Sequence, residues 1–240
     1  MNANGAGSEK RCAACTPKVA GMASIDFVTL EVTDPAAARR FYDTAFGLGP
    51  RLRLQASDAP TSGFRGFTLS LLVSGPATVS ALVDAAVSAG ATALKPAAKS
   101  FWGFGGVVQA PDGTIWKVAT SNKKDKGPAT REIDRIVLLL GCEDVKASKR
   151  FYVERGLAVA KSFGGRYVEF DMPTGTVGLG LYGHRALAKD AGVAPEGSGS
   201  HRLIVGGDAG TFTDPDGFAW QAAAGDGARP AGSAAAAPVA

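Results

Sequence analysis

The sequence predicts an α+β protein made of two related halves, each a strand, a helix and several short strands. Self-similarity indicates the halves, because three segments of the first half recur in the second. The paired segments are 25–28 (IDFV) with 133–136 (IDRI), 40–42 (RFY) with 150–152 (RFY), and 111–117 (PDGTIWK) with 215–221 (PDGFAWQ). The order and similar spacing of these pairs indicate a duplicated domain.

Each half begins with a strand and continues into a capped helix. Residues 25–32 and 133–140 are rich in Ile, Val and Leu, which is typical of strands. An aspartate at the N-cap and a later glycine predict the limits of each helix, and these pairs are Asp34 with Gly47 and Asp144 with Gly156. The two halves therefore open with the same strand–helix element.

A second helix is predicted in the first half alone. Pro76 opens it, an apolar face recurs at helical spacing, and Gly90 closes it. In the second half the strand that contains Val205 leads directly into a short Gly-Thr-Phe-Thr segment, which leaves no room for such a helix. The remaining predicted strands are 67–73, 105–110, 114–119, 157–163, 166–171, 176–182, 201–206 and 218–223.

Composition and charge exclude several classes of function. The chain has 240 residues, 45% apolar and 20% charged, which is ordinary for a globular protein. Its net charge of +4 is concentrated at 1–21 and 121–134, so no basic stripe on a folded face predicts nucleic-acid binding. No apolar run approaches the roughly 20 residues of a membrane span, and no secretory signal is present. A cytoplasmic location and no membrane partner are predicted.

The domain organisation follows from the repeat and from the composition of the segments between its copies. The expected segments are a disordered leader at 1–23, domains at 24–120 and 133–224, a linker at 121–132 and a disordered tail at 225–240. Cys12 and Cys15 have zinc-like spacing, but a structural zinc site needs four ligands, so both are interpreted as incidental thiols. The predicted assembly is either a monomer with an internal pseudo-dimer or a homodimer.

The repeated strand–helix pattern that ends in PDGxxW resembles the vicinal oxygen chelate superfamily. This group includes glyoxalase I, methylmalonyl-CoA epimerase, extradiol dioxygenases, fosfomycin-resistance thiol transferases and bleomycin-resistance proteins. The resemblance covers about residues 24–224 and implies βαβββ units whose curved mixed sheets form a cup around the ligand. Residues 63–120 and 133–184 would be the two complete units, and the question of which units share a cup stays open.

The resemblance also locates the positions where metal-dependent members carry their ligands, namely His or Gln on opening strands and Glu at the end of PDGxxxE. The corresponding residues here are Phe27, Thr68, Lys117, Arg135 and Gln221. The counterpart of Thr68 in the second half is His201 or Arg202, depending on a one-residue register. Phe has no donor atom, and charged Lys and Arg do not ligate cations. No metal and no cofactor are therefore predicted, and metal-dependent glyoxalase I or dioxygenase chemistry is disfavoured.

Two function hypotheses follow from the same positions. In the first, Lys117 and Arg135 favour an anionic small molecule, unless they reach solvent at the rim. The predicted binding set is Lys117, Arg135, Gln221, Phe27, Thr68, Trp102 and Tyr182. Such a protein would bind a small, anionic and aromatic molecule, as sequestering resistance proteins do. A separate, weaker possibility is a degenerate scaffold whose cup is filled by its own side chains.

The second hypothesis is a glyoxalase- or epimerase-type lyase or isomerase that uses a non-metal base or a displaced metal site. His201 and Glu169 are the candidate catalytic residues, since His201 begins a predicted strand and Glu169 alternates onto one face of another. His184, the other histidine, is predicted to lie in an exposed loop after strand 176–182.

Overall fold

The computed structural model describes residues 23–101, 103–125, 127–172 and 177–223. The helices within these ranges are α1 (Pro35–Ala45), α2 (Pro76–Ser88), α3 (Val145–Glu154) and α4 (His184–Ala191). The strands before residue 121 are β1 (Ile25–Val32), β2 (Leu52–Ala56), β3 (Thr61–Gly63), β4 (Phe67–Leu72), β5 (Thr92–Ser100), β6 (Gly103–Gln109) and β7 (Ile115–Thr120). Those after it are β8 (Arg135–Cys142), β9 (Ala158–Phe163), β10 (Tyr167–Asp171), β11 (Val177–Gly183), β12 (Gly197–Gly199), β13 (Leu203–Gly207), β14 (Phe212–Thr213) and β15 (Ala219–Ala222). Residues 1–22 of the expected leader, the expected tail, Cys12, Cys15 and Trp102 lie outside the described residues.

Aspartate side chains begin the two corresponding helices, as the sequence predicts. Asp34 accepts a hydrogen bond from the Ala37 amide at 2.9 Å, and Asp144 accepts one from the Lys146 amide at 2.8 Å. These bonds satisfy amides that have no partner within the helix. Hydrogen bonds from the Ala147 and Lys146 amides lower the pKa of Asp144. Both predicted helix starts are confirmed.

The two complete units predicted from the sequence share one eight-stranded mixed sheet, in the order β5-β6-β7-β4-β8-β11-β10-β9. At its centre β4 pairs antiparallel with β8, from Phe67–Leu140 to Leu72–Arg135. On each side the closing strand of a unit runs parallel to its opening strand, β7 beside β4 and β11 beside β8. The sequence leaves open which units lie together, and the structure places these two in the same sheet.

A second sheet, in the order β14-β15-β13-β1-β2, also combines strands from both halves of the chain. Its β1 pairs antiparallel with β13, while β13 continues directly to β14 without a helix, as the sequence predicts. The predicted strand 201–206 corresponds to β13, which begins two residues later than expected, at Leu203. Since both sheets mix the halves, the proposed boundaries of two domains stay a prediction.

Helix α4 is absent from the sequence prediction, and the expectation that His184 lies in an exposed loop is wrong. His184 is the first residue of α4; it is half-buried, and its ring lies 5.2 Å from that of Phe64. The helix has only eight residues and few apolar positions, so periodicity alone does not distinguish it from a loop.

A tyrosine–aspartate–tryptophan cluster ties the first helix of each half to its PDG turn. In the first half the Tyr42 hydroxyl donates to Asp112 at 2.5 Å and accepts from Trp116 Nε1 at 3.4 Å. In the second half the Tyr152 hydroxyl donates to Asp214 and accepts from Trp220 Nε1 at 3.1 Å. Both tryptophans are buried, and their rings pack against those of Tyr42 in α1 and Tyr152 in α3. The repeated phrase is thus a packing motif as well as a turn.

Removal of the Tyr152 hydroxyl should destabilise the protein more than removal of its counterpart. Tyr152→Phe leaves the buried Asp214 carboxylate and the Trp220 N–H with one partner fewer, at a cost of about 1–3 kcal/mol. Tyr42→Phe should cost less, because Asp112 is only half-buried. Chemical denaturation of both variants measures the difference. Equal losses, or a larger loss for Tyr42→Phe, would contradict this account.

The same cluster gives a pH dependence of defined sign. Burial raises the pKa of Asp214, although hydrogen bonds from Tyr152 and the Phe218 amide oppose the shift. The folded state therefore binds this proton more tightly than the unfolded state, whose aspartate pKa is about 3.9. As pH rises from that value through the raised one, the free energy of unfolding of the wild type should fall relative to Asp214→Asn. Denaturation curves across this range test it, and a wild-type free energy of unfolding that rises relative to that of Asp214→Asn as pH rises would refute it.

Candidate functional site

The face of the eight-stranded sheet that carries Lys117, Ser70, Val137 and Arg135 is called the cup face here. Lys117 pairs with Ser70 on the neighbouring strand, and Ser70 pairs with Val137, so the three side chains lie in one row. Arg135 lies two residues before Val137 and thus projects to the same face. Lys117 and Arg135, which the sequence predicts to act together, therefore share one face of one sheet.

Helix α4 packs on the cup face and covers part of it. Its apolar side chains, Leu187, Ala188 and Ala191, form a buried cluster with Val107 and Ile115 of the sheet. Leu139 and Tyr182 pack against the edge of this cluster. The part of the cup face between β6 and β8 is consequently filled by protein, while the part near Arg135 and β10 lies outside the cluster.

Lys117 is held by α4. Its Nζ lies 2.7 Å from Asp190 Oδ2, in an ion pair whose side chains are 33% and 42% exposed. Lys95 donates to the backbone carbonyls of Lys189 and Asp190, at 2.9 and 2.6 Å, near the end of the same helix. A cation at this end complements the helix dipole. The charge of Lys117 is therefore balanced within the protein.

Arg135 has a different environment from Lys117, because it lies on the part of the cup face outside the α4 cluster. Its guanidinium lies across Gly178 of β11, where a Cβ atom would be only 3.0 Å from Nε. The side chain is half-buried and has no hydrogen-bond or ion-pair partner among the described residues. Burial raises the pKa of the nearby Tyr167, and the charge of Glu169 adds to this effect. The charge of Arg135 is close enough to oppose it by lowering the same pKa.

The other predicted binding residues are dispersed. Tyr182 is half-buried on the cup face, 5.8 Å from Tyr167 between ring centres, and Thr68 is buried on β4. Phe27 lies on the other sheet, where its ring packs over Gly206 and below the Arg53 guanidinium at 3.2 Å. Gln221 is exposed on β15 of that sheet. The structure thus brings together Lys117, Arg135, Thr68 and Tyr182 on one face, but not Phe27 or Gln221.

The two candidate catalytic residues occupy unlike positions. His201 precedes β13, and its ring stacks on Phe218 with the centroids 4.1 Å apart. Its Nδ1 lies 2.7 Å from the Arg65 carbonyl and its Nε2 3.1 Å from the Asp216 carbonyl, so both ring nitrogens are engaged. Glu169 is on the cup face and pairs with Lys161 at 3.6 Å. Of the two, Glu169 is the one placed to meet a ligand on the cup face.

The residues at the family's metal-ligand positions do not fit a metal ion. Lys117 and Arg135 are cations, and Phe27 has no donor atom. Among the described residues, no group of three or more His, Cys, Asp or Glu side chains is arranged to hold one. Over the same described ranges, no helix has the length and apolar character needed to cross a bilayer.

The two interlocked βαβββ units and the cup face define a glyoxalase-like fold. Solved structures agree with it. Glyoxalase I from Zea mays superposes with a TM-score of 0.55 at 16% identity, covering 82% of this chain and 91% of that chain. A mutant of the maize enzyme gives 0.53 at 14% identity, covering 83% and 92%.

The chain therefore has the fold of the vicinal oxygen chelate superfamily, which confirms the resemblance found in the sequence. No protein-family model matches the chain, and no curated protein matches it.

Burial of apolar side chains, rather than the ion pair, should hold α4 on the cup face. Leu187→Ala removes a side chain that is 1% exposed and should cost about 2–5 kcal/mol of stability. Asp190→Asn removes a partly exposed ion pair and should cost less than about 1 kcal/mol. Denaturant titration of the two variants compares them. If Asp190→Asn proves the more damaging, the ion pair and not the apolar cluster anchors the helix.

Proposed function

We propose that the protein binds a small aromatic anion, such as a carboxylate, on the cup face beside α4, without a metal ion. The observation that carries this proposal is Arg135, a half-buried guanidinium without a partner among the described residues. Burial of a charge is costly unless it is paired. A ligand carboxylate would supply the pairing, and the planar guanidinium suits a two-point contact with it.

Gly178 supports this role because it gives the guanidinium a flat surface on which to lie. The backbone of β11 approaches Arg135 closely, and any larger residue at 178 would push the guanidinium away. Gly178 therefore provides the space in which the guanidinium lies against β11, on the face where the ligand is proposed to bind.

Tyr167, which is close enough for the Arg135 charge to influence its pKa, begins an aromatic group that extends away from Arg135 along the cup face. Tyr167 and Tyr182 meet edge to face, and Phe163 lies 6.1 Å from Tyr167 between ring centres. Ligand sites in proteins commonly combine such apolar walls with a few polar groups that fix orientation. This combination favours an aromatic anion over a bare inorganic one.

Lys117 is not part of the proposed binding site while α4 packs on the cup face. Its ammonium is paired with Asp190, so an incoming anion would have to compete with a carboxylate that is already in contact. The site proposed from the structure is thus narrower than the Lys117–Arg135 pair proposed from the sequence.

Two single substitutions separate the proposed site from a general charge effect. Benzoate should bind the wild type, and Arg135→Gln should weaken binding about tenfold or more, because a charge-assisted contact is lost. Lys117→Gln removes the same charge from the same face and should change the affinity less than about twofold, since Asp190 already engages Lys117. Isothermal titration calorimetry with benzoate, and with benzamide as the neutral analogue, measures both effects.

Equal weakening by Lys117→Gln and Arg135→Gln would favour the pair of cations suggested by the sequence. Benzamide binding as tightly as benzoate would show that no anion is recognised here.

A further inference from the structure

A cavity of about 630 Å³ lies away from the cup face, beside the first turns of α1. The PDG turn of the first half, the segment from β3 toward β4, and Arg202 complete its lining. Its volume falls within the 300–1,000 Å³ range typical of small-molecule sites. No residue of the site proposed above lines this cavity.

Three arginines, Arg40, Arg65 and Arg202, line the cavity together with two carboxylates. Both carboxylates already accept hydrogen bonds from the protein. Asp34 accepts from the Ala37 amide at the start of α1, and Asp112 accepts from the Tyr42 hydroxyl and the Thr114 amide. The arginines therefore leave the lining with an excess of positive charge.

Arg65 is held in a way that leaves part of its guanidinium without a partner. Its Nη2 donates to the Asp112 carbonyl, but its Nη1 is buried and has no hydrogen-bond partner among the described residues. Burial lowers the pKa of Arg65, and the like charge of Arg202 adds to this effect while Asp112 opposes it. Two cations close together at a cavity wall are stabilised by an anion between or beside them.

Arg202, which also lines the cavity, is fixed in place by hydrogen bonds within the protein. Its Nε and Nη2 donate to the Ala59 carbonyl at 2.9 and 2.5 Å, and its Nη1 donates to Thr33 at 3.2 Å. Its backbone has a φ of 51°, an uncommon conformation for a residue other than glycine. Such strained residues concentrate at binding sites, and this one presents a pre-positioned guanidinium.

The remaining arginine is free to respond to a ligand. Arg40 is exposed on α1 and has no hydrogen-bond or ion-pair partner among the described residues. The rest of the lining is largely apolar, with Val32, Ala38, Phe41 and Pro111. The cavity thus combines a cationic side with an apolar side.

We propose that this cavity is a second ligand site, which takes a small molecule with an oxyanion head, carboxylate or phosphate, on an apolar body. The head group contacts the Arg65–Arg202 side, Arg40 closes over it from the helix, and the body packs against Phe41 and Pro111. The site is independent of the cup face and of Arg135.

The internal repeat supplies a matched control for the test. Arg150 of α3 is the counterpart of Arg40 in the RFY segment; it is exposed like Arg40 but does not line the cavity. Arg40→Gln and Arg150→Gln therefore remove the same charge from equivalent places, one at the cavity and one away from it. Both side chains are on the surface, so neither variant should disturb folding.

The experiment uses the full chain with Arg135→Gln, which removes the proposed cup-face contact. Phenyl phosphate, benzoate and the neutral benzyl alcohol are titrated, with amide chemical shifts followed by NMR. The two anions should shift the amides of Ala37, Ala38 and Thr44, and benzyl alcohol should bind at least about tenfold more weakly. Arg40→Gln should weaken anion binding about fivefold, Arg150→Gln less than about twofold, and Ala38→Trp should abolish it by filling the cavity. The tighter of the two anions identifies the head group as phosphate or carboxylate.

Three results would overturn the proposal. One is benzyl alcohol binding as tightly as the anions, and another is equal weakening by Arg40→Gln and Arg150→Gln. The third is the absence of any shift in the α1 amides at millimolar probe. Since Arg135 is already replaced in these samples, none of these results depends on whether the cup face binds benzoate.

Discussion

The antiparallel ladder between β4 and β8 holds the two complete units in one sheet and sets the position of every group on the cup face. Because β4 comes from the first half and β8 from the second, the ladder converts a sequence repeat into a single continuous surface. Its register places Ser70 opposite Val137, and that row brings Lys117 and Arg135 to the same face. A slip of one residue would send one of them to the core side.

Packing of α4 on this face then makes the two cations chemically unlike. Lys117 lies under the helix and is neutralised by Asp190, whereas Arg135 lies outside the apolar cluster and has no such partner. Part of the cup face is thus covered by the apolar side chains of α4. The unfilled part keeps a cation and aromatic rings, and this remainder supports the proposal of ligand binding.

The duplicated PDG turns have diverged in the groups that they contact. In the first copy the PDG aspartate, Asp112, bonds Tyr42 and its backbone holds Arg65 at the arginine-lined cavity. In the second copy the preceding Asp214 bonds the tyrosine, and Asp216 instead accepts from Ser148 and from the Glu143 amide. One turn therefore contributes to a cavity while the other ties together a helix and its neighbouring strands, although both serve the same packing motif.

The sequence by itself determined the recurring segments, the capped helices, the α+β class and the side-chain types at positions 27, 117 and 135, because each is a property of local residue pattern or side-chain type. It did not determine α4, whose few apolar residues gain meaning only against Val107 and Ile115. Nor did it reveal Asp190 beside Lys117, or Arg65 beside Arg202, since these pairs are far apart in the chain. Tertiary structure decided which charges are balanced and which remain for a ligand, because an interaction between charges depends on distance and burial that residue order does not encode.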